Sequence, residues 1–444
     1  MAGQAEAKLG WRDATNAAGW RALAASWLGW MFDGYETFAL VLVMAPALRQ
    51  LLAPDQLPQL PIYIGGLLAA TLFGWATGGV IAGVFADYIG RKRMLMFSIL
   101  WYAVFTGFTA LSQNFEMFIV LRFLTGLGLG AEWGPGTALV AELWPPRMRG
   151  RAAGFLNSAF GCGFFLASAI WLFVGPLGGQ SWRYMFLVGI IPAFLLLYIR
   201  TGVQNPELWE AADQRRREAR QRRAHGQAVA AEEQHLLQFT MAHVVTDPVL
   251  RRRLGLLLLM SLASVVGWWA TSTWIPQYGG QVAAAAGQNA ADWAARTGLI
   301  YNVGGIAGYL ALGFMADAWG RKPTIVFYYV GSLAIVLILF LLVKDPTAFL
   351  VAAAVNGFFT SGQFSWMPTY LPELFPTAVR GSAISLVFDT SRYIAAFGPL
   401  LAGWLAVTLG GINTAAAIIG LIYIVGLVVA PFAGPETKGQ PLPE

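Results

Sequence analysis

Long apolar segments dominate this chain of 444 residues and restrict it to folds that a lipid bilayer can surround. A helix needs about 20 mostly apolar residues to cross the hydrocarbon core of a membrane. Hydrophobic residues make up 57% of the chain and charged residues 12%, against about 25% charged residues in a soluble domain. A soluble core cannot bury this surplus, so we expect an all-α membrane protein. The twelve predicted spans are residues 24–46, 62–86, 94–112, 116–139, 152–174, 184–201, 254–276, 296–316, 324–343, 348–371, 382–407 and 412–432.

One long polar stretch separates these spans into two groups of six. Residues 202–253 contain a dense run of arginines, whereas the other connections are short. We therefore predict an N-terminal six-helix bundle in residues 1–201 and a C-terminal six-helix bundle with a short tail in residues 254–444. The charge run is typical of a solvated, amphipathic linker and consists of Arg215, Arg216, Arg217, Arg220, Arg222 and Arg223.

Positive charge falls mostly on one side of the predicted bundle. With the N-terminus in the cytoplasm, 23 Lys and Arg residues lie in cytoplasmic segments and 4 in outer loops. Loops rich in these residues stay in the cytoplasm. The basic segment with Lys8, Arg12 and Arg21 lacks the small-residue cleavage site of a signal peptide. We therefore expect a multi-pass inner-membrane protein with both termini in the cytoplasm.

Several function classes lack their sequence signatures. The chain has one cysteine, Cys162, and therefore no intrachain disulfide. It has no nucleophile–base constellation, metal-ligand cluster or phosphate-binding loop, and its composition argues against a nucleic-acid binder. We expect neither an enzyme nor a bound metal or other cofactor, and the lipid bilayer is the expected partner.

Three motifs occur twice at nearly the same offset. The segment 83–92 (GVFADYIGRK) is repeated as 313–322 (GFMADAWGRK), and the segment 142–150 (ELWPPRMRG) is repeated as 373–381 (ELFPTAVRG). A Pro-Glu pair follows the last span of each half, at 206–207 and at 435–436. In all three cases, the second copy follows the first after nearly the same number of residues. This agreement indicates a six-helix unit used twice, and an even number of helices makes the two copies parallel.

The paired loops after spans 2 and 8 resemble the Gly-x-x-x-Asp-x-x-Gly-Arg-Lys signature of the major facilitator superfamily. The Arg122-x-x-x-Gly126-x-x-x-Gly130 run in span 4 and the Pro-Glu-Thr-Lys-Gly segment at 435–439 are also similar to that family. The resemblance covers nearly the whole chain. It implies the major facilitator fold, with twelve transmembrane helices in two six-helix bundles, and transport by alternating access.

The resemblance further implies that the two loops hold the cytoplasmic side closed. The Asp87 carboxylate faces the negative pole of its own helix and needs partners elsewhere. We expect Asp87 and Asp317 to bridge to arginines and helix ends of neighbouring spans. The alternative is a basic cluster that only sets topology and touches lipid phosphates. The predicted gate consists of Asp87, Gly90, Arg91, Glu142, Arg149, Asp317, Gly320, Arg321, Glu373 and Arg380.

Six ionisable residues lie inside the spans, away from their ends. Each costs roughly 2.5–3.5 kcal/mol at mid-helix on insertion scales and usually faces a bundle interior or a wet cavity. The spans contain four acids but only two arginines, so two carboxyl groups lack a fixed counter-charge and are candidates for protonation. The three histidines lie in the central loop, so proton coupling must use carboxylates. The proton-coupling candidates are Asp33, Glu36, Glu132 and Asp389, and the two arginines are Arg122 and Arg392.

Part of span 1 resembles the aromatic-acid/proton symporters of the superfamily. The segment 33–36 (DGYE) is similar to their Asp-Gly-x-Asp pattern, whereas the run 126–134 is more similar to sialic-acid and dicarboxylate-type symporters. In the resembled fold, spans 1, 4, 7 and 10 line the central cavity, which implies that the charged residues of spans 1 and 4 face the substrate. The candidate substrate-binding residues are Arg122, Arg392, Trp269, Tyr301, Asn302, Gln363 and Trp366.

These features predict a proton-coupled symporter that takes up a small organic anion, such as an aromatic or other carboxylic acid. Protons are the expected coupling ion. A sugar porter is an alternative, because such porters share the segment at 435–439, although the glutamine pair that they carry in span 7 is absent here. A drug or metabolite antiporter and a non-transporting ligand sensor on the same fold are further alternatives.

Overall fold

The computed structural model describes residues 15–398, 405–406 and 408–444, and this part of the chain is helical without strands. Lys8, Arg12 and part of predicted span 11 lie outside the described residues. Within them, eight helical segments are long and apolar enough to cross a membrane, and the other four predicted spans are helical too. The helices are Ala17–Leu51 (span 1), Leu60–Ile89 (span 2), Arg91–Thr109 (span 3), Phe115–Leu143 (span 4), Arg149–Val174 (span 5), Ser181–Val188 and Leu195–Gly202 (span 6), Pro248–Ser272 and Trp274–Ala285 (span 7), Ala290–Trp319 (span 8), Arg321–Leu337 (span 9), Pro346–Thr360 and Trp366–Leu374 (span 10), Arg380–Ala395 (span 11), and Ile412–Gly420 and Tyr423–Val429 (span 12).

Three spans that the sequence predicts as single helices are broken near a proline. A proline inside a helix removes the hydrogen bond to the carbonyl four residues earlier and clashes with that carbonyl. The first helix of span 6 ends at Val188, four residues before Pro192, and the first helix of span 7 ends at Ser272, four residues before Pro276. In span 10, a 3-10 turn separates the two helices, and it contains Phe364, four residues before Pro368. The break in span 10 adjoins the central cavity described below, because Phe364 lies in this turn and lines the cavity.

Two pairs of antiparallel spans join the halves, spans 2 and 11 on one side and spans 5 and 8 on the other. Small residues let the backbones of each pair approach closely. A Cβ added to Gly83 would lie 2.6 Å from the carbonyl oxygen of Gly381, and a Cβ added to Gly313 would lie 2.4 Å from that of Gly150. These two contacts are related by the internal repeat, so the repeat extends to the boundary between the halves.

The central loop packs one face of a helix against the bundle, while most arginines of its charge run stay exposed, as expected of a solvated, amphipathic segment. It contains the helices Glu207–Ala224 and Thr240–Thr246. Arg216 is 3% exposed and donates hydrogen bonds to the carbonyl oxygens of Asp87, at 2.7 Å, and Ala378, at 2.8 Å. Because these two carbonyls belong to different halves, the loop helix bridges the boundary between them.

Candidate functional site

At one end of the bundle, which we call the motif end, the repeated loops 87–91 and 317–321 bind across the boundary between the halves. Asp87 accepts hydrogen bonds from the backbone N–H groups of Gly381 and of the next residue, both at 2.9 Å, at the start of span 11. Asp317 accepts them from Gly150, at 3.1 Å, and from the next residue, at 3.0 Å, at the start of span 5. A helix N-terminus has free N–H groups and a positive pole, so each buried carboxylate is compensated by the opposite half.

Two buried glutamates at the motif end each bind one arginine from each half. Each copy of the second repeated motif, 142–150 and 373–381, supplies one of the glutamates and one of the arginines. The four ion pairs are Glu142–Arg91 (3.1 Å), Glu142–Arg380 (2.6 Å), Glu373–Arg321 (2.8 Å) and Glu373–Arg149 (3.1 Å). Two further ion pairs, Arg91–Asp87 at 2.8 Å and Arg321–Asp317 at 2.9 Å, bring the group to four carboxylates for four arginines.

The turns of the motif end need glycine and a capping residue. Gly90 and Gly320 have φ angles of 99° and 109°, which side chains disfavour. Asn205 accepts a hydrogen bond of 3.1 Å from the first turn of span 3, and Glu436 accepts one of 2.9 Å from Arg321 in span 9. Burial raises the pKa of Glu436, but the N–H donors outweigh burial and hold its pKa below the usual value. Asn205 and Glu436 are separated by the same offset as the second repeated motif, so the repeat aligns these two caps and not the Pro-Glu pairs.

Two of the four acids inside the spans are paired with arginines. Glu36 lies 3.4 Å from Arg122 and also accepts a hydrogen bond from Thr106. Arg122 donates to two further threonine hydroxyls, so its partners all lie within the N-terminal half. Asp389 lies 2.9 Å from Arg392 in span 11.

The other two acids, Asp33 and Glu132, have no hydrogen-bond or ion-pair partner among the described residues. Both are buried, and none of their four carboxyl oxygens has a hydrogen-bond partner among the residues that the structure describes. Glu132 lies against span 1 one turn before Asp33, where a Cβ on Gly29 would be 1.8 Å from its Oε1. Within the same described part of the chain, neither acid belongs to a metal-ligand cluster. An ionised carboxylate buried in this way is very costly, so a bound proton would stabilise either group.

A central cavity of about 40 Å³ lies where the halves meet. It has room for only a few waters, whereas sites for small molecules occupy about 300–1,000 Å³, so the lining side chains must move to admit a substrate. Arg392 is the one charged side chain among the described residues of the lining. The lining consists of Trp30, Trp75, Asn157, Phe160, Val265, Trp268, Trp269, Tyr309, Phe364, Phe388 and Arg392.

The acids and Arg122 are placed differently from the expectation that they face this cavity. None of Asp33, Glu36, Arg122 and Glu132 is among its lining residues. Trp30 lines both the cavity and a separate void of about 10 Å³ that Glu132 contacts. The indole of Trp30 therefore stands between the cavity and Glu132.

The comparisons with known proteins agree with this architecture. A family model described as "Sugar (and other) transporter" matches residues 23–444. The chain belongs to this family of the major facilitator superfamily. Its relatives are transporters and not enzymes. A putative metabolite transport protein of Haemophilus influenzae is 30% identical over 96% of this chain and 98% of its own length. A cis,cis-muconate transport protein of Acinetobacter baylyi is 28% identical over 83% of this chain and 84% of its own length.

Solved structures share the fold of this transporter. The proton:xylose symporter XylE bound to 6-bromo-6-deoxy-D-glucose aligns with a TM-score of 0.77 and 21% identity, covering 96% of this chain and 98% of the symporter. The predicted all-α membrane fold with twelve helices is thereby confirmed.

The predicted substrate-binding residues of the transporter separate into two groups. Trp269 and Arg392 line the cavity. The other five are held by neighbours outside the lining. Arg122 pairs with Glu36, and Asn302 donates a hydrogen bond of 3.0 Å to the Gly161 carbonyl oxygen. Tyr301 is hydrogen-bonded to Thr360 and Ser361, and Gln363 and Trp366 are both hydrogen-bonded to Ser264.

Sequence reasoning missed most of the aromatic lining of this transporter. Trp30, Trp75, Phe160 and Phe388 look like ordinary apolar span residues, and their convergence depends on helix rotation. The only local signal is spacing, because Trp30 lies one turn before Asp33 and Phe388 precedes Asp389.

Proposed function

We propose that this transporter takes up a small organic anion, an aromatic or other carboxylic acid, together with protons. The observation that carries the proposal is a cavity with one cation, together with two buried carboxyl groups in the same bundle that form no ion pair among the described residues. The cation gives the anion a partner, and the carboxyl groups give protons a place to bind.

The proton part of the proposal rests on Asp33 and Glu132. Each is costly as a lone buried anion and inexpensive once protonated, so proton binding changes the energy of the closed state. Glu36 and Asp389 are balanced by arginines in this closed state, which makes them weaker candidates here.

The anion part rests on Arg392 and its aromatic neighbours. Its guanidinium carbon lies 3.8 Å from the ring centroid of Phe388 and 4.7 Å from that of Trp75. A guanidinium binds a carboxylate through two parallel hydrogen bonds, while flat aromatic walls suit a planar organic group. The relative that carries cis,cis-muconate, the anion of an organic acid, supports this substrate class.

The family description also includes sugars, which makes a sugar porter the second candidate. A neutral sugar leaves the Arg392 charge without a new partner in a nearly closed cavity, whereas a carboxylate supplies one. The charge of the lining therefore favours the anion.

We further propose that the motif end faces the cytoplasm of a cell with an inner membrane and that its ion pairs break when the cavity opens inward. The 23-to-4 distribution of Lys and Arg supports this orientation. The bundles 1–201 and 254–444 would then move against each other, with lipid around both.

Transport in liposomes tests the proposal. With protons more concentrated outside, we expect uphill uptake of labelled benzoate or cis,cis-muconate that collapses with a protonophore. Uptake of a hexose instead would support the sugar porter, and binding without flux would support a sensor.

The variant Asp33→Asn sharpens the test. We expect it to bind and exchange the acid but to lose accumulation by about tenfold or more, because one proton site is gone. Unchanged accumulation would rule out Asp33 as the proton site. Thr71→Val is the control, because Thr71 is a buried polar residue of the N-terminal half outside the cavity lining, and its hydroxyl donates to the Leu67 carbonyl oxygen of its own helix.

A further inference from the structure

The two boundaries between the halves differ at one pair of positions that the repeat relates. At the offset of the second repeated motif, Asp389 in span 11 corresponds to Ser158 in span 5. At the offset of the first, Gly79 in span 2 corresponds to Tyr309 in span 8. One boundary therefore places a carboxylate against a glycine, where the other has a hydroxyl and a tyrosine.

The two oxygens of the Asp389 carboxylate lie in different environments. Its Oδ1 accepts a hydrogen bond of 2.9 Å from Nη1 of Arg392. Its Oδ2 is buried against span 2, where a Cβ on Gly79 would lie 2.0 Å from it, and this oxygen has no partner in the described part of the chain. Asp389 thus touches both the cavity arginine and the boundary that must slide.

Arg392 has unused hydrogen-bonding capacity. Its hydrogen bonds to described residues, those to Asp389 and to the Phe388 carbonyl, both come from Nη1. The residue is 6% exposed and its side chain lines the cavity. Nε and Nη2 therefore remain for a bound anion.

From this geometry we infer that Asp389 is a positioning residue that links anion binding to the movement of span 2 against span 11. The inference rests on the proposed function. A substrate carboxylate that approaches Arg392 competes with Asp389 for the guanidinium. Once Arg392 turns to the substrate, Asp389 keeps a buried charge with no partner, which is unfavourable until spans 2 and 11 separate. Ser158 carries no charge, so the opposite boundary has no such response.

Binding and uptake of benzoate and cis,cis-muconate by the full-length carrier test this inference. Tryptophan fluorescence reports binding, because Trp30 and Trp75 line the cavity. In Asp389→Asn, we expect about tenfold tighter binding of the acid, since its competitor for Arg392 is weakened, and about tenfold slower uptake. Gly79→Ala displaces Oδ2 of Asp389, so it should also tighten binding of the acid and slow its uptake. Ser158→Ala, at the equivalent site, should leave both unchanged.

The outcomes separate this inference from the proposed function. Loss of binding in Asp389→Asn, as expected for Arg392→Gln, would overturn the inference, because Asp389 would then only orient the arginine. Normal binding in Arg392→Gln would instead contradict the proposed anion site. A chemical modification experiment without substrate tests the inference independently of the proposed function. Phenylglyoxal should modify Arg392 several-fold faster in Asp389→Asn than in the unchanged carrier. Equal rates would overturn the inference.

Discussion

The motif end and the centre of the bundle both bury acids, but they treat them differently. At the motif end, Asp87, Asp317, Glu142 and Glu373 all bind arginines or helix N-termini. At the centre, Asp33 and Glu132 bind nothing among the described residues. Burial alone therefore does not tell how a carboxylate is stabilised; its partners do.

Span 4 carries one acid of each kind, which allows a direct comparison. Glu142→Gln removes the charge that holds Arg91 and Arg380, and breaking a buried pair costs about 3–5 kcal/mol. Glu132 pairs with no cation in the described part of the chain. We therefore expect the free energy of unfolding of Glu132→Gln to stay within about 0.5 kcal/mol of that of the unchanged protein, or to rise. Unfolding of both variants in the same detergent measures the difference. Equal losses would contradict the distinction between the two regions.

The two arginines inside the spans allow a second prediction. Arg122→Ala leaves Glu36 buried without its cation, so we expect a loss of about 3 kcal/mol in stability. Arg392→Ala also leaves a buried acid, Asp389, without its cation and should cost a similar amount of stability. Only Arg392→Ala should also lower the affinity for the acid, by at least tenfold. Unfolding and binding measured on both variants check this; a stable Arg122→Ala that no longer binds acid would restore Arg122 as the anion anchor.

Glu436, at the solvent-exposed edge of the motif end, should contribute only a little to stability. The pKa of Glu436 is lower in the folded protein, so its contribution to stability is present above its unfolded pKa and lost as the pH falls through the folded pKa. Because the residue is exposed, we expect only about 0.5 kcal/mol after screening by water. Unfolding followed from pH 6 to pH 3 should show a shallower loss in Glu436→Gln. An identical pH dependence would show that the cap contributes nothing.

The sequence predicts the parts of this molecule that depend on local patterns. Apolar length identifies the spans, and the repeated loops identify the residues that meet at the motif end. The census of four acids against two arginines also anticipates two unpaired carboxyl groups, although it does not say which acids they are.

Features that depend on helix rotation and long-range packing are not predictable in this way. Arg122 and Arg392 look equivalent in sequence, yet one bonds within its own half and the other lines the cavity. Arg216 belongs to a polar charge run, and only the nearby carbonyls of Asp87 and Ala378 make it a buried bridge.

Proton flux during acid transport gives the most direct test. Liposomes with a pH-sensitive dye inside, and a gradient of the acid as the only driving force, report protons that enter with substrate. We predict acidification with the unchanged carrier and exchange of acid without acidification when Asp33→Asn and Glu132→Gln are combined. Proton entry at the same ratio in the combined variant would contradict coupling through the unpaired acids.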